Sequence, residues 1–387
     1  MAPHPFRDVV IAGAFNARQA RVLEGETSLS ISIEAVLGAI ADAGLAVEDV
    51  NGVVGNHTSD VAYELGMGPV FQSGSGLGIP AVLEAAAHVA LGLSDVVVVV
   101  GGSAGVYTDR ASTAPWTRPN NEFVAPYGMF TAAEFALIAR HHMHRYGTTP
   151  EQLATVAATI RNNGHANPQA CYFGRGPFTP ADILDSRMVA DPFHLLDCSM
   201  TAEGGTALLL TRADRIADLA KPPVWILGAG SDRLGPSYRH APTWDLHGRV
   251  GEVNGLVGRR AAQRSFAAAG LGPDDVDVCE LYDPFSFEII RQFEAFGFCG
   301  EGEGGPFVMD GTIGPGGRFP ITTDGGTMSF SHGGASVQLL QRVVRGVQQV
   351  RGECVSMQVP DAAVALCSGG GAGALFNDVL LLGRERP

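Results

Sequence analysis

Hydrophobic positions in this chain gather into short continuous runs separated by stretches with helical spacing. Val9 to Ala12, Val96 to Val100, Val224 to Leu227, Val276 to Leu281 and Ala362 to Leu366 have strand length, and all but the fourth are wholly apolar. Such runs predict strands covered on both faces, and their alternation with helical segments predicts an α/β fold. A helix is expected from Thr131 to Tyr146.

The runs also repeat. Val10-Ile11-Ala12-Gly13-Ala14 returns as Trp225-Ile226-Leu227-Gly228-Ala229. Ala43-Gly44-Leu45 with Asp49-Val50 returns as Ala269-Gly270-Leu271 with Asp275-Val276. Asp95, five apolar residues and Gly101 to Gly105 return as Asp361, five apolar residues and Cys367 to Gly371. Three matches in one order predict two duplicated halves, roughly 1–220 and 221–387, with residues 106–190 inserted in the first. The insertion is rich in Pro, Asn and Thr from Ala114 to Pro126, and a loop-heavy segment beside a rigid core is where substrate contacts are expected.

Composition narrows the function. The 387 residues are 45% hydrophobic and 17% charged, enough to bury a large core. A net charge of −14 argues against a nucleic-acid or anionic-membrane surface. Val96 to Val100 is far below the roughly 20 apolar residues of a membrane span, and the N-terminus shows no signal-peptide core. Six scattered cysteines without C-x-x-C pairs indicate neither a zinc site nor a disulfide framework, so a reducing cytoplasm is expected. His141, His142 and His144 have the wrong spacing for one metal-binding face and suggest a surface or interface helix. The glycine run from Gly369 to Gly373 lacks the Lys of a phosphate-binding loop, so its glycines, Gly370 among them, are expected to let the backbone approach a ligand such as a thioester.

Four motifs in order carry a family resemblance. Leu196-Asp197-Cys198-Ser199 through Glu203-Gly204-Gly205-Thr206-Ala207-Leu208, Glu280-Leu281-Tyr282-Asp283-Pro284-Phe285-Ser286, Gly325-Gly326-Thr327 through Ser331-His332-Gly333-Gly334-Ala335, and Cys367-Ser368-Gly369-Gly370-Gly371 resemble the conserved segments of the thiolase superfamily, in its sterol-carrier-protein-type branch. The resemblance implies a thiolase fold, two βαβ-type halves layered αβαβα, and a homodimer.

Departures from the thiolase pattern carry the functional information. The reactive cysteine that heads a thiolase helix has Ser75 in its place, and no cysteine precedes Cys171. A helix N-terminus can make a cysteine thiolate abundant near neutrality, whereas a serine needs an adjacent base. Ser75 then reads either as a helix cap beside the acyl-CoA or as a substitute acyl acceptor. Leu281-Tyr282-Asp283 through Gly300-Glu301-Gly302-Glu303 resembles the thiolase-fold steroid side-chain aldolases, which lack the nucleophile. That likeness implies retro-aldol cleavage of a 3-hydroxyacyl-CoA, with a steroid-CoA as the expected substrate, to a ketone and a short acyl-CoA. No cofactor is implied beyond the CoA of the substrate, and a small OB-fold, zinc-ribbon partner protein is. By the resemblance Tyr282 takes the hydroxyl proton with Asp283 positioning its loop, Tyr238 is a second candidate base, His332 holds the thioester oxygen and Cys367 returns the proton. Tyr282 and Cys367 also fit core positions, one following and one ending a buried strand. The competing readings are an acyltransferase working through a residue other than cysteine and a non-catalytic complex subunit.

Overall fold

The computed structural model describes residues 4–76, 78–105, 131–233, 256–333, 335–371 and 376–387, the side chains of 335–338 excepted. Its first half runs β1 (Val9–Ala20), α1 (Ser28–Ala43), β2 (Gly52–Gly55), α2 (Thr58–Glu64), β3 (Phe71–Ser73), α3 (Gly78–Ala90) and β4 (Val96–Ser103). Helices α4 (Thr131–Tyr146), α5 (Pro150–Ala166) and α6 (Pro180–Asp185) and the small hairpin β5 (Met188–Ala190) and β6 (Phe193–His194) precede β7 (Glu203–Arg212). Then follow β8 (Val224–Arg233), α7 (Arg259–Ala269), β9 (Val278–Glu280), α8 (Ser286–Phe296), α9 (Gly304–Phe307), α10 (Gly326–Ser329), α11 (Ala335–Arg351), β10 (Val364–Gly371) and β11 (Phe376–Gly383).

Nine strands form one sheet in the order β3-β2-β4-β7-β1-β8-β11-β10-β9. Outward from β1, the chain meets β7 and β4 antiparallel and then β2 parallel to β4. Outward from β8 it meets β11 and β10 antiparallel and then β9 parallel to β10. The repeated segments therefore occupy equivalent places: β1 matches β8, and β4 matches β10.

The valine run shows why polar alternation is missing. Val97 and Val99 pack into a cluster with residues of α3 and α11, while Val96, Val98 and Val100 pack with Ala35, Val36 and Ala39 of α1. The inner cluster also takes Ala365, Cys367, Leu380 and Leu382 from the second half, so α3 and α11 lie between the two halves. A third cluster covers the outer face of the second half with residues of α4, α5, α7 and α8. This is the layered αβαβα arrangement of the thiolase fold.

A duplicated glycine sets the spacing of the outer helices. A Cβ on Gly13 would lie 2.1 Å from the Ala39 carbonyl oxygen, and one on Gly228 would lie 2.0 Å from that of Ser265. Any side chain at either position would push α1 or α7 off the sheet.

Two expectations change. Residues 150–166 form a 17-residue helix within the segment read as loop-heavy. His142 is fully buried rather than on a surface; its ring nitrogens contact Thr148 Oγ1 at 2.8 Å and the Glu294 carboxylate at 3.0 Å. Among the described residues no group of His, Cys, Asp and Glu is arranged to hold a metal ion. Nor is any described helix long and apolar enough to cross a membrane.

Candidate active site

Strand β9 ends at Glu280, and the chain turns through Leu281–Phe285 into α8. That turn is fixed by polar contacts. The Tyr282 N–H donates to Ser368 Oγ at 2.8 Å, and its carbonyl accepts from Gln292 Nε2 at 2.7 Å. Ser368 in turn donates to Gln292 Oε1 at 2.5 Å. With both backbone groups held, the ring of Tyr282 rests on Gly370, where an added Cβ would lie 3.2 Å from the ring. Tyr282 and Gly370, read separately from sequence, are thus in contact.

Asp283 is the anchor of the next loop. Its two carboxylate oxygens accept from the backbone N–H groups of Thr327 at 2.8 Å and Met328 at 3.0 Å, and Thr327 Oγ1 donates to its carbonyl at 2.6 Å. Gly326, at φ +58, faces the same carboxylate so closely that a Cβ would lie 2.2 Å from Oδ2. Burial raises the Asp283 carboxyl to about 7, against the lowering influence of Arg342 and the two N–H groups. Asp283 therefore ties its own loop to the start of α10. Arg342 holds the same loop from below, bonding Asp324 at 2.6 and 2.7 Å. From α5, Arg161 donates to the carbonyls of Met328 and Cys198, and Asn163 to that of Ile321.

His332 follows this loop, three residues ahead of α11. Its carbonyl accepts from Ala202 N–H at 3.2 Å, and its partly buried ring donates to the Met200 carbonyl. Burial pushes the imidazole down to about 4, with the Met200 bond opposing. The ring is therefore neutral at physiological pH, with its single N–H committed to Met200. Its other nitrogen presents a lone pair. The side chain is held in its neutral form with one nitrogen open as an acceptor, whereas the resemblance implied a donor to a thioester oxygen.

Cys367 is not brought to these residues. Its side chain is fully buried in the inner cluster, and a Cβ on Gly346 would lie 2.4 Å from Sγ. Gly346 lies eleven residues into α11, roughly 16 Å along the axis from its start, whereas His332 precedes that start. Strand alternation explains the difference: on β10, Cys367 faces α11 and Ser368 faces Tyr282. The proton-return role is corrected on this geometry. Ser75 is partly buried, three residues ahead of α3. Tyr238 lies outside the described residues, as does Ala114 to Pro126.

All six thiols are raised by burial. Cys171 is pushed up to about 11, and Cys198, Cys299 and Cys354 to about 12. Cys279 and Cys367 are raised further by the same cause. No cysteine here is prepared as a thiolate.

Two residues escaped the sequence reading. Asn377 and Asp378 of β11 are fully buried; neither side-chain atom of Asn377 has a hydrogen-bond partner, and Asp378 Oδ2 has none. The Asn377 amide oxygen would lie 3.6 Å from a Cβ on Gly370, which places it on the Tyr282 side of the sheet. No sequence signal marks them, because the glycines that expose them lie on β10.

A fold of duplicated halves layered around two central helices, with a loop carrying Gly325-Gly326 and His332, defines a thiolase-type protein. Residues 252–384 match the thiolase C-terminal domain-like family. The chain is 34% identical to a steroid side-chain-cleaving aldolase of Thermomonospora curvata, over 94% of each chain. It is 36% identical to 17-hydroxy-3-oxo-4-pregnene-20-carboxyl-CoA lyase of Mycobacterium tuberculosis, over 86% of this chain and 89% of that one. It superposes on the solved structure titled Ltp2-ChsH2(DUF35) aldolase with a TM-score of 0.82 and 31% identity, over 97% of this chain and 98% of that one. The chain belongs to the thiolase superfamily, among its steroid side-chain-cleaving, aldolase-type relatives.

Proposed function

We propose that this protein is a carbon–carbon lyase that cleaves a 3-hydroxyacyl-CoA, of the steroid class, by a retro-aldol reaction. The observation that carries the reading is Ser75, partly buried three residues ahead of α3 where a thiolase keeps its nucleophilic cysteine, with all six thiols of the chain raised by burial. The reaction needs a base for the β-hydroxyl proton and a polar group for the thioester oxygen. The lone pair of His332 suits the first task, and the hydroxyl of Tyr282 suits the second. Asp283 links the two, since its backbone follows Tyr282 and its carboxylate holds α10, which leads to His332.

The solved relative's title names a DUF35 component, and this supports a small OB-fold, zinc-ribbon partner for this chain as well. A homodimer and a cytoplasmic setting complete the proposal. The test is a panel of 3-hydroxyacyl-CoAs incubated with the full chain, with and without that partner, in the absence of free CoA. Ketone and short acyl-CoA should appear in equal amounts, and intact-mass spectra should show no acyl adduct. Cleavage that requires free CoA, or a stable adduct on Ser75, would return the protein to acyl transfer.

A further inference from the structure

Strand β11 sends Leu380 and Leu382 into the inner cluster with α3 and α11, and alternation places Asp378 on that same face. The apolar row therefore ends in a carboxylate. In register, Asp378 sits between Ser231 of β8 and Gly369 of β10. Ser231 donates to its Oδ1, while Oδ2 is buried and has no partner. A buried carboxylate oxygen left so is destabilising, and native proteins keep few of them.

Beside Oδ2, over the bare Cα of Gly369, there is room for one further methyl-sized group. A Cβ built on Gly369 would lie 3.4 Å from Leu339, 3.7 Å from Ile79 and 3.8 Å from Asp378 Oδ2. Those are ordinary contact distances, so a methyl-sized gap separates the carboxylate from the two central helices. Ile79 is in the first turn of α3, and Leu339 is the fifth residue of α11. Ser75 and His332 stand just ahead of those same helices. The gap thus lies level with the first turns of both helices, whose N-termini favour negative charge.

We propose that Asp378 is the proton-transfer acid of the site, its Oδ2 exchanging a proton with the α-carbon of the bound acyl-CoA. The inference rests on the lyase reading. In cleavage, the β-hydroxyl proton passes to His332, and the Cα–Cβ bond breaks with its electron pair forming the thioester enolate. The enolate α-carbon then takes the proton of Asp378, and the carboxylate is reprotonated by the imidazolium or solvent. One proton moves from oxygen to carbon in net, and nothing is oxidised or reduced. Burial raises the Asp378 carboxyl to about 6, against Ser231 and Arg233 and with Asp232 assisting. Among the described residues those β8 groups are the polar and charged neighbours, and β10, α3 and α11 present Gly369, Ile79 and Leu339.

The test isolates this proton. The full chain is mixed with propionyl-CoA in D2O, and deuterium at the α-carbon is followed by mass spectrometry. Wild type should exchange, with a rate that rises with pH through an inflection near 6 as the carboxylate ionises. Asp378→Asn should slow exchange at least 100-fold and abolish the inflection. Gly369→Ala, which fills the gap at contact distance, should slow it at least tenfold with unchanged melting temperature. Exchange at the wild-type rate in Asp378→Asn overturns the proposal, and so does undiminished exchange in Gly369→Ala should Asp378→Asn fail to fold. Exchange that depends on Asp378 in a protein that cleaves no 3-hydroxyacyl-CoA would sink the lyase reading alone. Cleavage with exchange indifferent to both variants would sink Asp378 alone.

Discussion

The placement of Cys367 can be tested by exchanging volume with the helix it touches. An alanine at Gly346 would bring a methyl carbon 2.4 Å from Sγ, with Leu382 at 3.2 Å and Ala365 at 3.6 Å on either side. Overpacking of this kind costs about 1–3 kcal/mol, while replacing a glycine inside a helix returns about 1 kcal/mol. Gly346→Ala should therefore be destabilised by about 0–2 kcal/mol. Cys367→Ala removes one buried atom and should cost about 1 kcal/mol. In the double variant the new methyl fills the space the sulfur leaves, and the helix gain remains. It should be more stable than the sum of the two single changes by at least about 1 kcal/mol. Urea unfolding at constant slope measures all four proteins. The cleavage assay on Cys367→Ala should show near wild-type turnover. Additivity within about 0.5 kcal/mol would refute the packing argument. Turnover abolished in Cys367→Ala with stability unchanged would put the thiol back in the chemistry.

Three further outcomes follow from the loop and its buried acids. Asp283→Ala strands the N–H groups of Thr327 and Met328 and should lower stability by about 2–6 kcal/mol in denaturant unfolding. Asp378 is raised to about 6 in the folded protein from an ordinary 3.8, so its contribution to stability is full below about 4 and is lost as pH rises through 6. Asp378→Asn should consequently gain on wild type by up to about 3 kcal/mol between pH 4 and pH 7, and a difference that does not change with pH would contradict the burial cause. His332→Ala should lower the cleavage rate by about 10²–10⁴-fold with little change in melting temperature. Because its imidazole is pushed down to about 4, the wild-type rate should show no histidine inflection between pH 5 and pH 8.

Much of the architecture was readable because its signals are local or repeated. Five consecutive valines announce a strand covered on both faces, and the matched glycines of β1 and β8 perform one packing task twice. The helix expected from Thr131 to Tyr146 has those bounds. Helix α5 was missed because its buried face is partly polar. Arg161 and Asn163 are buried to bond loop carbonyls at Met328, Cys198 and Ile321, and such partners cannot be seen in the helix's own sequence. His142 was misread for the same reason, its partner Glu294 lying far along the chain on α8. In the site, Asp283 could be singled out from sequence because it lies within a motif. Asp378 was not, because the space before it is made by a glycine on the neighbouring strand.

The chemistry that remains after the cysteine is lost explains why the acids are buried. An enolate forming in this protein places a local negative charge in a chain that already carries −14. Glu280 and Asp283 are raised to about 7 and Asp378 to about 6, in each case chiefly by burial. Burial works against the anionic form of each of these groups, while Arg342 keeps its charge on Asp324 and beside Glu280. A thiolase needs the reverse condition, since its nucleophile works only as an anion. Here every thiol is held neutral and the acids retain exchangeable protons. The same burial that removes covalent catalysis therefore leaves proton transfer as the reaction this site is equipped to perform.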